Sequence, residues 1–273
     1  MGRRRLTQEE VSDKYQDLKD TLDYYKQKRA DSNSDEEKNE YTKKISAAKK
    51  NLNNFKRQYE TKTEITESFR ADGLHRILYK CAACGAEGHM VGKGIHLKCH
   101  HCGKQYELTP TGKLAALEGE TEFDHIPDWF HWQRTQVEKQ IEEGTYSFED
   151  EVEVYSFPRC WRFIPLGKAK LTHDPENGYV LEGEYRDQPY RVERAPLGMY
   201  GVHIEYDYCY LRPEDCIDIS TDKDSFYCYP TKTDVVTKLS LATEEIYKLH
   251  MERKNAEKMA RRARKLAKSE AVQ

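Results

Sequence analysis

Cys81-Ala-Ala-Cys84-Gly85 and Cys99-His-His-Cys102-Gly103 decide how this chain is read: two Cys-x-x-Cys turns with 14 residues between them. Such a turn aims two thiolates at one ion, at Zn–S distances of about 2.3 Å, and a second turn completes a tetrahedral set. Glycine after each pair supplies the permissive backbone a tight turn needs and lets amides approach the sulfurs. Between the pairs, His89-Met-Val-Gly, a Lys93-Gly94 turn and Ile95-His-Leu-Lys98 read as a hairpin. His75-Arg-Ile-Leu-Tyr-Lys80 reads as a strand entering the first pair, and Gln105-Tyr-Glu-Leu108 as one leaving the second. The pattern predicts a rubredoxin-like zinc ribbon over 65–116 with one Zn2+ on Cys81, Cys84, Cys99 and Cys102. A redox dithiol and an iron–sulfur centre are the other chemistries such pairs serve. Four soft thiolates favour zinc and leave no position open for water, so the ion is expected to be structural. His96, His100 and His101 are read as non-ligands, and Lys80, Lys98 and Lys104 either offset the site's negative charge or stay solvated.

The other four cysteines, Cys160, Cys209, Cys216 and Cys228, have no paired spacing and are expected as buried thiols, with a second metal site as the alternative. Eight cysteines in 273 residues are too few for a disulfide scaffold and suit a reducing compartment. The chain is polar, 34% charged and 37% apolar, which favours small modules over one large core. No apolar stretch is long enough to cross a membrane, and no apolar run follows Arg3–Arg5 as a secretory signal requires. These features predict a cytoplasmic protein. The net charge of −3 is a cancellation: residues 1–64 and 251–273 are basic and 117–160 are acidic.

Upstream of the ribbon, residues 1–64 predict an antiparallel helical hairpin. Its seams are Val11, Tyr15, Leu18, Leu22 and Tyr25, and then Tyr41, Ile45, Ala48, Leu52, Phe55 and Tyr59. Thr7-x-x-Glu10 and Ser34-x-x-Glu37 match capping boxes. The seam serves either as an internal packing face or as a homodimer contact.

Downstream, 117–148 read as a solvated acidic connector running into a helix with Pro127 near its start and Gly144 after its end. Trp129, Trp132, Gln136, Val137 and Ile141 would form its packing face. Residues 149–250 predict consecutive antiparallel strands at 150–156, 168–173, 179–185, 189–194, 200–208, 215–220, 225–229 and 235–241, closed by a helix from Ala242. That order suggests a small β-barrel or sandwich of pleckstrin-homology type. Residues 251–273 would be a basic helical tail.

Several blocks keep their order in a way that resembles a known family. Glu67-Ser-Phe-Arg-Ala-Asp-Gly-Leu-His-Arg-Ile-Leu-Tyr-Lys-Cys81, Glu118-Gly-Glu-Thr-Glu-Phe-Asp-His-Ile-Pro-Asp-Trp129, Glu143-Gly-Thr-Tyr-Ser-Phe148, Leu171-Thr-His-Asp174, His203-Ile-Glu-Tyr-Asp207 and Leu241-Ala-Thr-Glu-Glu-Ile-Tyr247 are similar to the region C-terminal to the catalytic domain in bacterial 1-acyl-sn-glycerol-3-phosphate acyltransferases. The resemblance covers about residues 64–250 and implies the zinc-ribbon cysteines and a link to phospholipid synthesis. It carries over no catalytic residue. The family's catalysis needs a His followed five positions later by Asp, and none of the ten histidines has one: His125 is followed by Phe130 and His203 by Tyr208.

The leading expectation is therefore a non-catalytic zinc-ribbon adaptor that binds a protein or an anionic lipid surface. A nucleic-acid-associated zinc ribbon is the alternative, using the basic tail and Arg3–Arg5. A fragment of an acyltransferase whose catalytic domain lies elsewhere, and an enzyme built on His203, Glu205 and Asp207, complete the set.

Overall fold

The computed structural model describes residues 8–32, 34–59, 64–208 and 212–270. Thr7, Arg3–Arg5 and Cys209 lie outside the described residues, as do the side chains of Val11, Phe55, Tyr59 and Cys160. The chain is α+β and divides into two compact units, residues 1–67 with 109–112, and 68–108 with 113–273.

In the first unit the apolar spacing of three and four produces two helices, α1 (Gln8–Asp31) and α2 (Asp35–Tyr59). Leu22, Ala48 and Leu52 are buried between them, with Tyr15, Leu18, Tyr25 and Ile45 alongside. At the turn, the Ser32 hydroxyl donates to Glu37 at 2.7 Å. The Ser34 amide, which the capping pattern had paired with Glu37, donates instead to the Ser32 hydroxyl at 3.4 Å.

The second unit begins with one helical turn, α3 (Leu74–Ile77), where a strand was expected. Ala71, Leu74 and Leu78 are spaced by three and four and are buried together, so burial selects the helical turn. Four short antiparallel strands follow in sequence order: β1 (Met90–Lys93), β2 (His96–Cys99), β3 (Gln105–Leu108) and β4 (Leu114–Ala116). Gly92 on β1 lies against the 71–75 turn so closely that a Cβ would overlap the Ala71 carbonyl oxygen. Then comes α4 (Ile126–Glu142), with Pro127 in its first turn and Gly144 at φ 68° after its end.

The large sheet contains β5 (Phe148–Ser156), β6 (Ile164–Asp174), β7 (Gly178–Tyr185), β8 (Gln188–Arg194), β9 (His203–Glu205), β10 (Cys216–Ser220) and β11 (Ser225–Pro230). Their spatial order is β8-β7-β6-β5-β11-β10-β9, antiparallel throughout. The expected barrel is not closed: β8 and β9 are the two edges and no ladder joins them among the described residues. All seven strands belong to one hydrogen-bonded sheet among the described residues. The edges are built against further pairing, since β8 carries Pro189, Arg191, Glu193 and Arg194 and β9 has three residues. The 200–208 strand shrinks to His203–Glu205 because Asp207 turns at φ 48° toward Arg76.

The segment 235–241, read as a strand from its β-branched residues, is the start of α5 (Val236–Glu270). Val236 and Leu239 enter the sheet's core beside Val152, Val154, Leu171, Leu181, Ile217, Ile219 and Cys228. Burial on a helical stripe overrides the local propensity of two valines.

Candidate metal centre

Each Cys-x-x-Cys turn is folded by two backbone bonds. Cys81 N–H donates to the Ala86 carbonyl at 2.8 Å, and Gly85 N–H returns to the Cys81 carbonyl at 2.9 Å. The second turn repeats this with Cys99 to Lys104 and Gly103 to Cys99, both at 2.9 Å. Gly85 and Gly103 have φ of 75° and 80°, with nothing within 4 Å of where a Cβ would sit, so backbone handedness alone demands glycine. His100 N–H donates to the His89 carbonyl at 2.8 Å and ties the second turn to the residue preceding β1.

The two turns face each other and bring four sulfurs together, all within 4.8 Å of one another. Cys81 Sγ is 3.8 Å from Cys102 Sγ, and Cys84 Sγ is 3.9 Å from Cys99 Sγ. A tetrahedron of Zn–S bonds near 2.3 Å has an S···S edge of about 3.8 Å, so the set has the spacing to hold a metal ion such as zinc. Cys81 and Cys99 are buried while Cys84 and Cys102 are exposed, so one wall of the site is core and the other is water. Burial raises the Cys81 thiol, and the Cys84 and Ala83 amides pull against it. A cation that takes these sulfurs as thiolates displaces their protons. His96, His100 and His101 are not in the cluster, which is the one such group among the described residues.

Two side chains of α4 hold the segment that leads into Cys81. The Trp129 indole donates to the Lys80 carbonyl at 2.9 Å. The Gln133 side chain accepts the Lys80 amide and donates to the Ile77 carbonyl, both at 2.9 Å. Gln133 was missed in the sequence, where Gln136 was placed on the packing face. The spacing of Trp129, Gln133, Val137 and Ile141, four residues each, is the signal that finds it, and all four are buried.

The acidic run, read as a solvated linker, is exposed over 117–120 and is also tied to the residues beside the site. Lys104 Nζ donates to the carbonyls of Glu118 at 3.1 Å and Glu120 at 2.6 Å, and Tyr106 donates to Glu122 at 2.6 Å. Desolvation pushes the Glu122 carboxyl up, but Tyr106 and Lys104 outweigh it and leave the group below its ordinary value. Lys80 and Lys238 both reach Glu87, at 3.1 and 2.7 Å. Lys80 and Lys104 are thus committed to carboxylates and carbonyls.

Cys216 and Cys228 are buried, as expected. Cys228 is directly opposite Ile217 in the β10–β11 ladder, so Cys216 points to the other side of the sheet and the two share no ion. His203, Glu205 and Asp207 are not assembled: His203 Nε2 meets Glu205 at 3.0 Å on the exposed edge strand, while Asp207 pairs with Arg76. No helix among the described residues is long and apolar enough to cross a membrane. Set against protein-family models, curated proteins and solved structures, the chain matches none.

Proposed function

We propose that this chain is a non-catalytic adaptor, stapled by one structural zinc in a rubredoxin-like ribbon, that seats on an anionic phospholipid surface. The observation that carries the reading is the second half of α5. From Glu252 to Arg264 every side chain is exposed, and six are cations: Arg253, Lys254, Lys258, Arg261, Arg262 and Arg264. Two carboxylates, Glu252 and Glu257, are interspersed. Ala256, Met259, Ala260 and Ala263 add little apolar area, so the attraction is chiefly electrostatic, about 1 kcal/mol per cation close to an anionic leaflet.

The zinc's role follows from its ligands: four thiolates fill a tetrahedral ion and offer no position for substrate or water. The acyltransferase resemblance suits work on phospholipid. The test is co-sedimentation of the full chain with vesicles of phosphatidylcholine alone or mixed with phosphatidylserine. Binding is expected only to the mixed vesicles, and Arg261→Glu with Arg262→Glu should weaken it by at least about tenfold. Absence of binding to the mixed vesicles, or steeply salt-dependent binding to RNA or DNA instead, overturns the reading.

A further inference from the structure

The loop between β5 and β6 reads Phe157-Pro-Arg-Cys-Trp-Arg-Phe163. Trp161 is 85% exposed, more than any other exposed large apolar side chain among the described residues. Arg159 and Arg162 on either side of it are exposed as well. An indole on the surface forfeits a large hydrophobic gain, and its amphipathic ring is most stable where an apolar phase meets water.

The indole is carried on a firm base. Phe157 N–H donates to the Ser225 carbonyl at 2.8 Å and to Asp224 Oδ1 at 3.0 Å. Trp161 N–H closes a turn onto the Pro158 carbonyl at 3.1 Å. The Phe157 and Phe163 rings stack across the foot of the loop, 4.2 Å apart and 13° from parallel, and Tyr227 meets Phe163 edge-on at 5.2 Å. The loop's ends are fixed, so little ordering is left to oppose binding.

The register sets two further turns at the same end of the sheet. Ser156 pairs with both Ile164 and Phe226, so the β10–β11 turn, with Lys223, stands beside the loop. β6 runs away from the loop and β7 returns, so the β7–β8 turn, with Arg186, is there too. Arg159, Arg162, Arg186 and Lys223 are exposed, against the exposed carboxylates Glu184, Asp187 and Asp222. Asp224 is turned inward, where the Ser156 hydroxyl donates to it at 2.6 Å.

We propose that this loop enters the headgroup layer of an anionic bilayer, with Trp161 as the anchor and Arg159 and Arg162 on lipid phosphates; the inference rests on the lipid-surface reading and names a contact within it. One indole amid arginines suits that layer, where ring and guanidinium each find their own medium. The basic half of α5 leaves from the sheet's opposite end, where His250 meets the Pro175 carbonyl at 2.7 Å in the β6–β7 turn. One bilayer therefore meets both contacts only where the strands lie along its surface, and the two are separable by mutation.

The full chain's own fluorescence reads the contact, because Trp129 is buried, Trp132 half-buried and Trp161 exposed. With phosphatidylcholine/phosphatidylserine vesicles the emission should move to shorter wavelength and acrylamide quenching should fall. Trp161→Ser should abolish both changes and weaken vesicle binding at least about fivefold, Arg159→Gln with Arg162→Gln should weaken it similarly, and Trp161→Phe should keep part of it. Undiminished binding by Trp161→Ser, with loss in the Arg261→Glu, Arg262→Glu chain, overturns the loop and leaves the lipid reading standing. No vesicle binding by the unmodified chain removes both. Quenching of Trp161 by a single-stranded oligonucleotide but no response to vesicles assigns the loop to base stacking and overturns the proposal.

Discussion

Gln133 on α4 accepts the backbone N–H of Lys80 at 2.9 Å, one residue before the first thiol of the metal cluster. The same side chain donates to the Ile77 carbonyl at 2.9 Å and is itself fully buried, so it ties together two main-chain groups of the segment that enters the site. Gln133→Leu keeps much of the volume and strands both. A main-chain group left unpaired costs about 1–3 kcal/mol where water cannot replace its partner, and the Ile77 carbonyl belongs to an exposed residue, so the variant should lose about 1–3 kcal/mol. Urea unfolding with metal present measures it. A loss below about 0.5 kcal/mol, the range of surface substitutions, would show that the bonds contribute nothing.

The cysteine cluster makes a stoichiometric prediction. The purified chain should bind one zinc, and cobalt substituted for it should give the intense visible absorption of a tetrahedral thiolate site. Cys99→Ser, in the core, should cost more metal affinity and stability than Cys84→Ser, whose position opens to solvent. A serine or a water can take the outer ligand's place, whereas a hydroxyl in the buried one leaves a polar group against apolar neighbours. If Cys99→Ser kept a full equivalent of zinc by elemental analysis, the four-cysteine assignment would fail.

Two glycines test whether space or handedness governs a position. Gly92→Ala puts a Cβ onto the Ala71 carbonyl oxygen and within 3.1 Å of the Leu74 amide, both backbone atoms that cannot swing aside. The turn carrying Ala71 and Leu74 must shift, and both residues lie in the ribbon's core, so the expected cost is about 3 kcal/mol or more. Gly85→Ala meets open space and bears only its left-handed φ of 75°. That strain is about 1–2 kcal/mol. Equal losses in thermal unfolding would contradict the distinction.

The metal site was the most legible part of the sequence because its determinants are local. Cysteine spacing, a glycine after each pair and a Lys93-Gly94 turn set the geometry within a few residues. What misled was decided at long range. Val235-Val236-Thr237 has strand propensity, yet the sheet buries Val236 and Leu239 only if the segment is helical. His203 to Tyr208 alternates like a strand, but Arg76, more than a hundred residues earlier in the chain, captures Asp207. Glu118 and Glu120 are exposed as in a solvated linker, but nothing in the sequence signalled that Lys104 and Tyr106 would bind the run's carbonyls and carboxylate. Barrel closure was illegible for a similar reason: strand count says nothing about whether two edges meet.

His173 gives the unit a pH dependence whose sign is fixed by burial. Its ring is stacked on Tyr179 at 3.9 Å and its Nδ1 is 2.9 Å from the Tyr146 hydroxyl. Tyr179 in turn is 2.9 Å from the Thr243 hydroxyl on α5. Desolvation drives the imidazole down to about 3, against a weaker opposing pull from Asp174. In the unfolded chain the group titrates near the ordinary histidine value of about 6.5. Between those two values the unfolded chain binds a proton that the folded chain refuses. Stability is therefore fully present above about pH 6.5 and falls as the pH drops toward 3, by at most about 1.4 kcal/mol per pH unit from this group. His173→Phe keeps a ring for the stack and removes the titration. It should be less stable at pH 7, where it loses the Tyr146 contact, but should lose less between pH 6.5 and 5 than the unmodified chain. Carboxylates and the clustered cysteines act alike in both proteins and cancel in that difference. Parallel stability curves from urea unfolding across this range, or imidazole nitrogen shifts showing His173 charged at pH 5, would refute the assignment.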